Sequence, residues 1–267
     1  MSHVSAERVR ATYKARDSWW TVLLIDPMAG WFVRAAAARP WITPNLLTGV
    51  AFALGLGAAA AFLQATPVWL VAGAAVYHLS FVIDCMDGKV ARVNGTGSIF
   101  GSWLDFFLDR LRVVTCTVTL FAGQFTATGN PAFLYTAIGV VFLALIGYLN
   151  GAEMNKATAR MARATTAAGD RPATAADTDP IPARVRTALH RRRIRLNLVS
   201  AIEFEMAVFV VAPLIAAVTV PVAIIRVTLA VAALLVAFEF ALIVRFWRRT
   251  RSFQRAAADA TASRIDR

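Results

Sequence analysis

The chain has 267 residues, of which 58% are hydrophobic, and carries a formal charge of +12; its mean hydropathy is +0.58. A soluble domain of this length rarely reaches that value, so the composition excludes an ordinary globular enzyme and points to a polytopic membrane protein. Cys85 and Cys116 both fall in apolar stretches, which excludes a disulfide framework or a cysteine-built zinc site and leaves each as small apolar packing.

The opening MSHVSAERVRATYKARD is polar, without the apolar run and cleavage site of a secretory signal. SWWTVLLIDPMAGWFVRAAAARPWITPN then mixes tryptophan with apolar and basic residues. It reads as an interfacial amphipathic helix with Trp19, Trp20, Trp31 and Trp41 at headgroup depth. After this 1–44 segment, six stretches are apolar over the roughly 20 residues that a crossing takes: 45–63, 68–86, 99–122, 131–150, 198–218 and 223–244. The expected fold is an all-α integral membrane protein: six transmembrane helices within 45–246, preceded by the interfacial helix and followed by a basic tail over 247–267. The connections QATP, GQFTATGNP and TVPVAI carry no charge, whereas the other connections and both termini hold nearly all the lysine and arginine. The positive-inside rule then sets both termini and the loops 87–98 and 151–197 in the cytoplasm. The basic charge suits anionic lipid headgroups rather than nucleic acid.

Within 151–197, ATTAAGDRPATAADTDPIP reads as a flexible linker, and RVRTALHRRRIR as a basic patch facing lipid. His78 is expected to pack within the second span. Arg226 is expected to snorkel at the outer end of the sixth or to pair within the bundle. Glu203 and Glu205 should pair with the arginines of RRRIR, and Glu239 with a bundle partner such as Arg226, or hold a proton.

The stretch DCMDGKVARVNGTGSIFGSWLDFFLD departs from this apolar background. Asp84, Asp87, Gly88 and Ala91 stand at i, i+3, i+4 and i+7 and share one helix face; Gly101, Asp105 and Asp109 at i, i+4 and i+8 share another. Consecutive spans joined by a short loop bring those faces together at the cytoplasmic end, with Ala91 and Gly101 leaving room between backbones. Four ionised carboxylates gathered there repel unless they take up protons or a cation. Oxygen ligands suit hard cations, and four aspartates fit two such ions, Mg²⁺ or Mn²⁺, about 3.5–4 Å apart for displacement at phosphorus. Lys89 and Arg92 can meet the remaining phosphate charge.

The pattern Asp84-x2-Asp87-Gly88-x2-Ala91-Arg92-x8-Gly101-x3-Asp105-x3-Asp109 resembles the full signature of the CDP-alcohol phosphotransferase family, as does the six-span layout with its interfacial helix. The resemblance implies transfer of a phosphatidyl-type group from a CDP-linked lipid, CDP-diacylglycerol, to an alcohol acceptor with release of CMP, in phospholipid biosynthesis. It implies that Asp84, Asp87, Asp105 and Asp109 hold two divalent cations and that Asp109 is also the general base. Asn45, Thr48, Asp84, Gly88, Arg92 and Ser98 match donor-contacting positions. Asn45 and Thr48 are equally placed to cap the first span, and Ser98 the third. Arg110 follows Asp109 as in relatives whose acceptor bears its own phosphate, such as inositol phosphate, and Arg112 lies close by. Arg110 reads equally well as an interfacial snorkeller. Relatives are homodimers, and the Ala- and Arg-rich composition suits the inner membrane of a bacterium. The competing class is a divalent-cation transporter or channel using the carboxylates as its pathway. A membrane-anchored scaffold would leave the carboxylates without a role.

Overall fold

Prolines and hydroxyl side chains mark where the helices start. The computed structural model describes residues 5–167, 183–196 and 198–265. Ser5 caps the short α1 (Ala6–Ala11), accepting the Arg8 N–H at 3.1 Å. A π-helical turn at Thr21–Ile25 feeds α2 (Asp26–Ala37). This helix has two unlike faces: Asp26, Ala29, Val33 and Ala36 are buried, while Met28, Trp31 and Phe32 are exposed. Trp31 and Trp41 share that exposure, but Trp19 and Trp20 are partly buried, and Trp19 donates its Nε1–H to the Leu198 carbonyl at 2.8 Å.

Thr43 caps α3 (Pro44–Leu63), and Pro67 opens α4 (Pro67–Asn94), since a first-turn proline gives up no helical hydrogen bond. Gly95, at φ 66°, ends α4 in the left-handed conformation that costs glycine least, and the Thr96 N–H returns to the Ala91 carbonyl at 3.0 Å. Ser98 caps α5 (Ile99–Thr128) by accepting the Gly101 N–H at 2.9 Å. There follow α6 (Ala132–Ala167), α7 (Ala183–Arg191), α8 (Ala201–Met206), a second π-helical turn at Ala207–Val211, α9 (Ala212–Val218) and α10 (Val222–Ile265).

Several expected boundaries move. Residues 87–94, expected in a loop, continue α4, and residues 151–167, expected in another, continue α6. The stretch AEMNKATARMARATTA holds neither proline nor glycine and is rich in strong helix formers, so nothing stops the helix once it is under way. The expected basic tail likewise prolongs α10 as far as Ile265. Most of the expected linker, residues 168–182, lies outside the described residues.

Among the described residues, five helices are long and apolar enough to cross a membrane: Pro44–Leu63, Pro67–Asn94, Ala132–Thr165, Ala201–Val218 and Val222–Arg255. Against the six expected, α5 is missing from that group because Asp105, Asp109, Arg110 and Arg112 crowd its first half and Gln124 interrupts its second. It nonetheless packs beside α3, which also lies along α4. Small buried residues on α3, namely Ala51, Gly55, Ala58 and Ala59, let the backbones come close, and close packing is what holds helices together where no water is expelled. The Ser80 hydroxyl donates to the Ala51 carbonyl across that seam at 2.7 Å. Toward the far end Phe62, Tyr77 and Phe209 cluster, with Tyr77 and Phe209 ring centroids 4.6 Å apart. The C-terminal part of α4, the start of α5 and the first turns of α3 and α8 therefore share one end of the bundle.

Candidate active site

At that end lies a cavity of about 290 Å³, lined by Asp84, Asp87 and Gly88 of α4, Asp105, Asp109 and Arg110 of α5, and Glu205 of α8. Its lining also includes Lys14, Asp17 and Asp26 from the N-terminal part of the chain, Lys89 and Arg92 of α4, and Arg193.

The carboxylate wall is tightly partnered. Asp87 of α4 and Asp105 of α5 come near one another, although both helices pack mainly on α3. Thr48 of α3 donates its hydroxyl to Asp87 Oδ2 at 2.5 Å, and the Gly88 N–H meets Asp87 Oδ1. Beneath them Arg112 is 1% exposed and bridges the two helices: Nη1 lies 3.4 Å from Asp84 Oδ1 and donates to Ser80 Oγ at 3.1 Å, while Nη2 sits on Asp109 Oδ1. Its stem runs through a notch at Gly55, where an added Cβ would fall 2.5 Å from Arg112 Cγ. Arg110 covers the other oxygen of Asp109, Oδ2. Its guanidinium carbon stands 3.5 Å from the centre of the Tyr148 ring, and Nη1 is 3.8 Å from Glu205 Oε1, which accepts the Tyr148 hydroxyl at 2.7 Å.

The cationic wall is organised by Asp26. Lys89 Nζ reaches its Oδ1 at 2.7 Å and Arg193 Nη1 its Oδ2 at 3.1 Å, with Lys89 and Asp26 both buried. Tyr13 lies between the two cations, 5.1 Å from Lys89 Nζ and 4.8 Å from Arg193 Cζ, and donates its hydroxyl to the Asp26 carbonyl at 3.2 Å. Burial, and then the Asp26 carboxylate, push that hydroxyl above its ordinary range, so it stays protonated. Asp17 pairs with Ile194 in an isolated bridge and accepts Arg195 at 3.3 Å, tying the N-terminal segment to residues 193–195. Arg92 Nε donates to the Thr12 carbonyl at 2.9 Å.

This half-polar cavity sits in a chain whose residues 41–262 match the description of CDP-alcohol phosphatidyltransferases. The chain belongs to the CDP-alcohol phosphatidyltransferase family. The match runs past residue 246 and brackets 156–197, regions outside the motif resemblance. An archaetidylinositol phosphate synthase from Methanothermobacter thermautotrophicus is 37% identical over 102 residues, 38% of this chain and 47% of that protein, so the chain spans about half the length of the relative it matches.

In this family member the structure separates the residues singled out from sequence. All four aspartates, Gly88, Arg92 and Arg110 line the cavity. Among the described residues, however, no group of three or more carboxylate, imidazole or thiol side chains is gathered closely enough to hold a metal ion. Arg110 and Arg112 occupy both oxygens of Asp109, and Thr48 and Gly88 those of Asp87. Arg112 does not line the cavity; it supports the carboxylates from below. Thr48, Asn45 and Ser98 are not lining residues either. Thr48 holds Asp87, Thr43 rather than Asn45 or Thr48 caps α3, and Ser98 caps α5. The space at Gly101 is taken by neighbours: an added Cβ would lie 2.8 Å from Asn45 Oδ1 and 2.9 Å from Ser98 Oγ.

Other expectations change with their partners. Glu205 meets Tyr148 and Arg110, not the RRRIR arginines, and Glu203 forms a capping box with Ser200. Glu239 accepts from Asn150 Nδ2 at 3.0 Å, not from Arg226, which is exposed. His78 packs edge-on against Trp20, with ring centroids 6.0 Å apart. Cys85 and Cys116 are free thiols, and Cys116 is buried. Sequence reasoning missed Asp26, Glu205 and Arg193 as parts of the site. A signal existed for Asp26, which shares the i, i+3, i+7 face of buried Ala29 and Val33 rather than the tryptophan face.

Proposed function

We propose that the protein transfers a phosphatidyl group from CDP-diacylglycerol to the hydroxyl of a polyol phosphate, releasing CMP at the cytoplasmic face of a bacterial inner membrane. One observation carries the reading: four aspartates and the cations Lys14, Lys89, Arg92, Arg110 and Arg193 line a single cavity, which suits a substrate pair rich in phosphate. The relative named for archaetidylinositol phosphate synthesis makes inositol phosphate the first acceptor to try.

In this reading α5 is the third of six spans, its charged first half at the membrane surface and the remainder in lipid. At about 1.5 Å per residue, its 30 residues exceed a hydrocarbon core of roughly 30 Å. The exposed face of α2 lies in the headgroup layer, both termini are cytoplasmic, and the protein works as a homodimer. Gly88 gives the donor diphosphate close access to the backbone of α4, and Arg92 meets its charge. Arg110, Arg193 and Lys14 face the acceptor phosphate. Asp109 takes the proton of the attacking hydroxyl.

Carboxylate oxygens are the donor set that hard cations take, so Asp84, Asp87, Asp105 and Asp109 are the residues that would hold Mg²⁺ or Mn²⁺ once drawn closer together. When bound, two such cations neutralise the diphosphate and the charge that grows on its oxygens. Arg112 keeps the two pairs of aspartates in register whatever fills the cavity.

The experiment is CMP release by purified protein given CDP-diacylglycerol, Mg²⁺ or Mn²⁺, and a panel of alcohols led by inositol phosphate. Release dependent on one acceptor, abolished by chelation and restored by either cation, is the expected result. Cation flux through liposomes without CMP release from any acceptor would put the transporter reading in its place.

A further inference from the structure

We infer that a second cavity, between α1 and α2, is a lipid site separate from the substrate cavity, and that it takes the phosphate headgroup of an anionic phospholipid from the surrounding leaflet. The cavity holds about 360 Å³, and its lining includes Arg10 of α1, Tyr13 just after it, and Asp26, Gly30, Trp31 and Arg34 of α2. Of its described lining residues, Asp26 alone also lines the carboxylate cavity. From the proposed function the inference takes only the placement of α2 at the membrane surface, and it does not need the transfer reaction.

Charge, position and shape point to that ligand. Arg10 and Arg34 bring two exposed guanidinium groups from different helices to one space. A phosphodiester offers the paired oxygens that a guanidinium binds bidentately. Asp26, the one carboxylate among the described lining residues, has both oxygens engaged, Oδ1 by Lys89 and Oδ2 by Arg193, so its charge is already met. Trp31 lines the cavity and is also 66% exposed on the apolar face of α2, beside Met28 and Phe32. The cavity therefore borders the face that meets lipid, at the depth where tryptophan rings and headgroup phosphates lie together. Its walls are already built. Val9 anchors α1 at 1% exposure, and the Tyr13 hydroxyl is held by the Asp26 carbonyl so close to Gly30 that an added Cβ would fall 2.7 Å from it. A lipid phosphate held by both arginines would bridge α1 to α2 beside Tyr13, the ring that lies between Lys89 and Arg193, and so brace the cationic wall.

The test places the full chain in phosphatidylcholine vesicles containing brominated phosphatidylglycerol or, in parallel, brominated phosphatidylcholine, and reads tryptophan quenching. The difference between the wild type and Trp31→Phe isolates the signal of Trp31, and thermal unfolding in detergent is the folding control. Trp31 should be quenched at a lower mole fraction of the brominated phosphatidylglycerol than of the brominated phosphatidylcholine. An arginine near an anionic lipid surface is worth about fivefold in affinity. Arg10→Ala and Arg34→Ala should each raise the phosphatidylglycerol midpoint by at least that factor, and the double variant should lose the preference. Arg39→Ala, which removes an exposed charge just past α2 and outside the described lining, should leave the midpoint unchanged. Equal quenching by the two lipids overturns the inference, as does a loss in Arg39→Ala as large as that in Arg10→Ala, which would mean a diffuse basic surface. Relief of the quenching by inorganic phosphate overturns it in favour of a soluble anion. Quenching by neither lipid overturns it and takes α2 off the membrane surface as well. A protein that keeps the lipid preference but releases no CMP upholds this site, and only the transferase reading fails.

Discussion

The two walls of the cavity are made in different ways. The carboxylate wall comes from two adjacent helices, α4 and α5, and its four aspartates fall within the span Asp84 to Asp109. The cationic wall draws Tyr13, Asp26, Lys89 and Arg193 from the N-terminal segment, α2, α4 and the chain after α7. In the first, helix periodicity alone sets which side chains meet. In the second, a single buried carboxylate gathers two cations and an aromatic ring from segments far apart in sequence. The carboxylate wall therefore leans on α4 and α5 with support from Thr48 and Gly55 of α3, whereas the cationic wall depends on Asp26.

The largest effect tests the first wall. Asp109→Asn is expected to lower kcat by about 10²–10⁴-fold, the usual worth of a general base, while CDP-lipid binding stays near wild type. Asp84→Asn, which alters the α4 side of the seam, should weaken donor binding as well. Equal losses of donor binding in a titration with CDP-diacylglycerol would remove the separate role of Asp109 and make the four aspartates one undivided ligand set.

Next in size is the removal of the organiser of the second wall. Asp26→Ala leaves Lys89 buried without its partner and Arg193 without its inner contact. Breaking a buried pair from one side costs about 3–5 kcal/mol. Thermal unfolding in detergent should show that loss, and hydrogen exchange should rise in residues 13–17 and 193–195 while α3 and α5 stay protected. Uniform exchange across the molecule would mean that Asp26 supports the whole bundle and not one wall.

The same contrast explains what was legible beforehand. The spacing of Asp84, Asp87, Asp105 and Asp109 is local, and a helix face is a local rule, so their meeting in one cavity could be read directly. Most of the apolar helices follow from composition in the same way, whereas α4 and α5 pack mainly on α3 and not on one another. Partners such as Tyr148 for Glu205, Asn150 for Glu239 and Asp26 for Arg193 are set by packing between distant segments, and one chain carries no local trace of those. Charge does not end a helix here, and α6 and α10 run past the bounds that charge suggests. Charge ends a membrane crossing, but α6 and α10 continue because Ala, Arg and Met keep the backbone helical. Arg112 looked like an acceptor contact because it lies near Asp109 in sequence. Burial turned it into a support beneath the carboxylates.

Gly55→Ala asks whether that support matters, with a smaller expected effect. The added methyl would meet Arg112 Cγ at 2.5 Å, so the arginine stem or α3 must shift. Overpacking of this kind costs about 1–3 kcal/mol. Because Arg112 joins Asp84 to Asp109, kcat should fall along with the melting temperature. A stability loss with unchanged kcat would separate the register of the aspartates from Arg112.

The smallest effect belongs to Ser98, where two readings of one residue predict different measurements. As the cap of α5 it accepts the Gly101 N–H at 2.9 Å, and it does not line the cavity. Losing such a cap costs about 1 kcal/mol, so Ser98→Ala should lower the melting temperature slightly and leave the KM for CDP-diacylglycerol unchanged. Ser98→Asp retains a capping oxygen and should restore stability. If Ser98 instead touches the donor, Ser98→Ala would raise that KM, and Ser98→Asp would raise it further by placing an anion beside the diphosphate. The direction of the aspartate variant thus decides between a helix cap and a substrate contact without reference to how large either effect is.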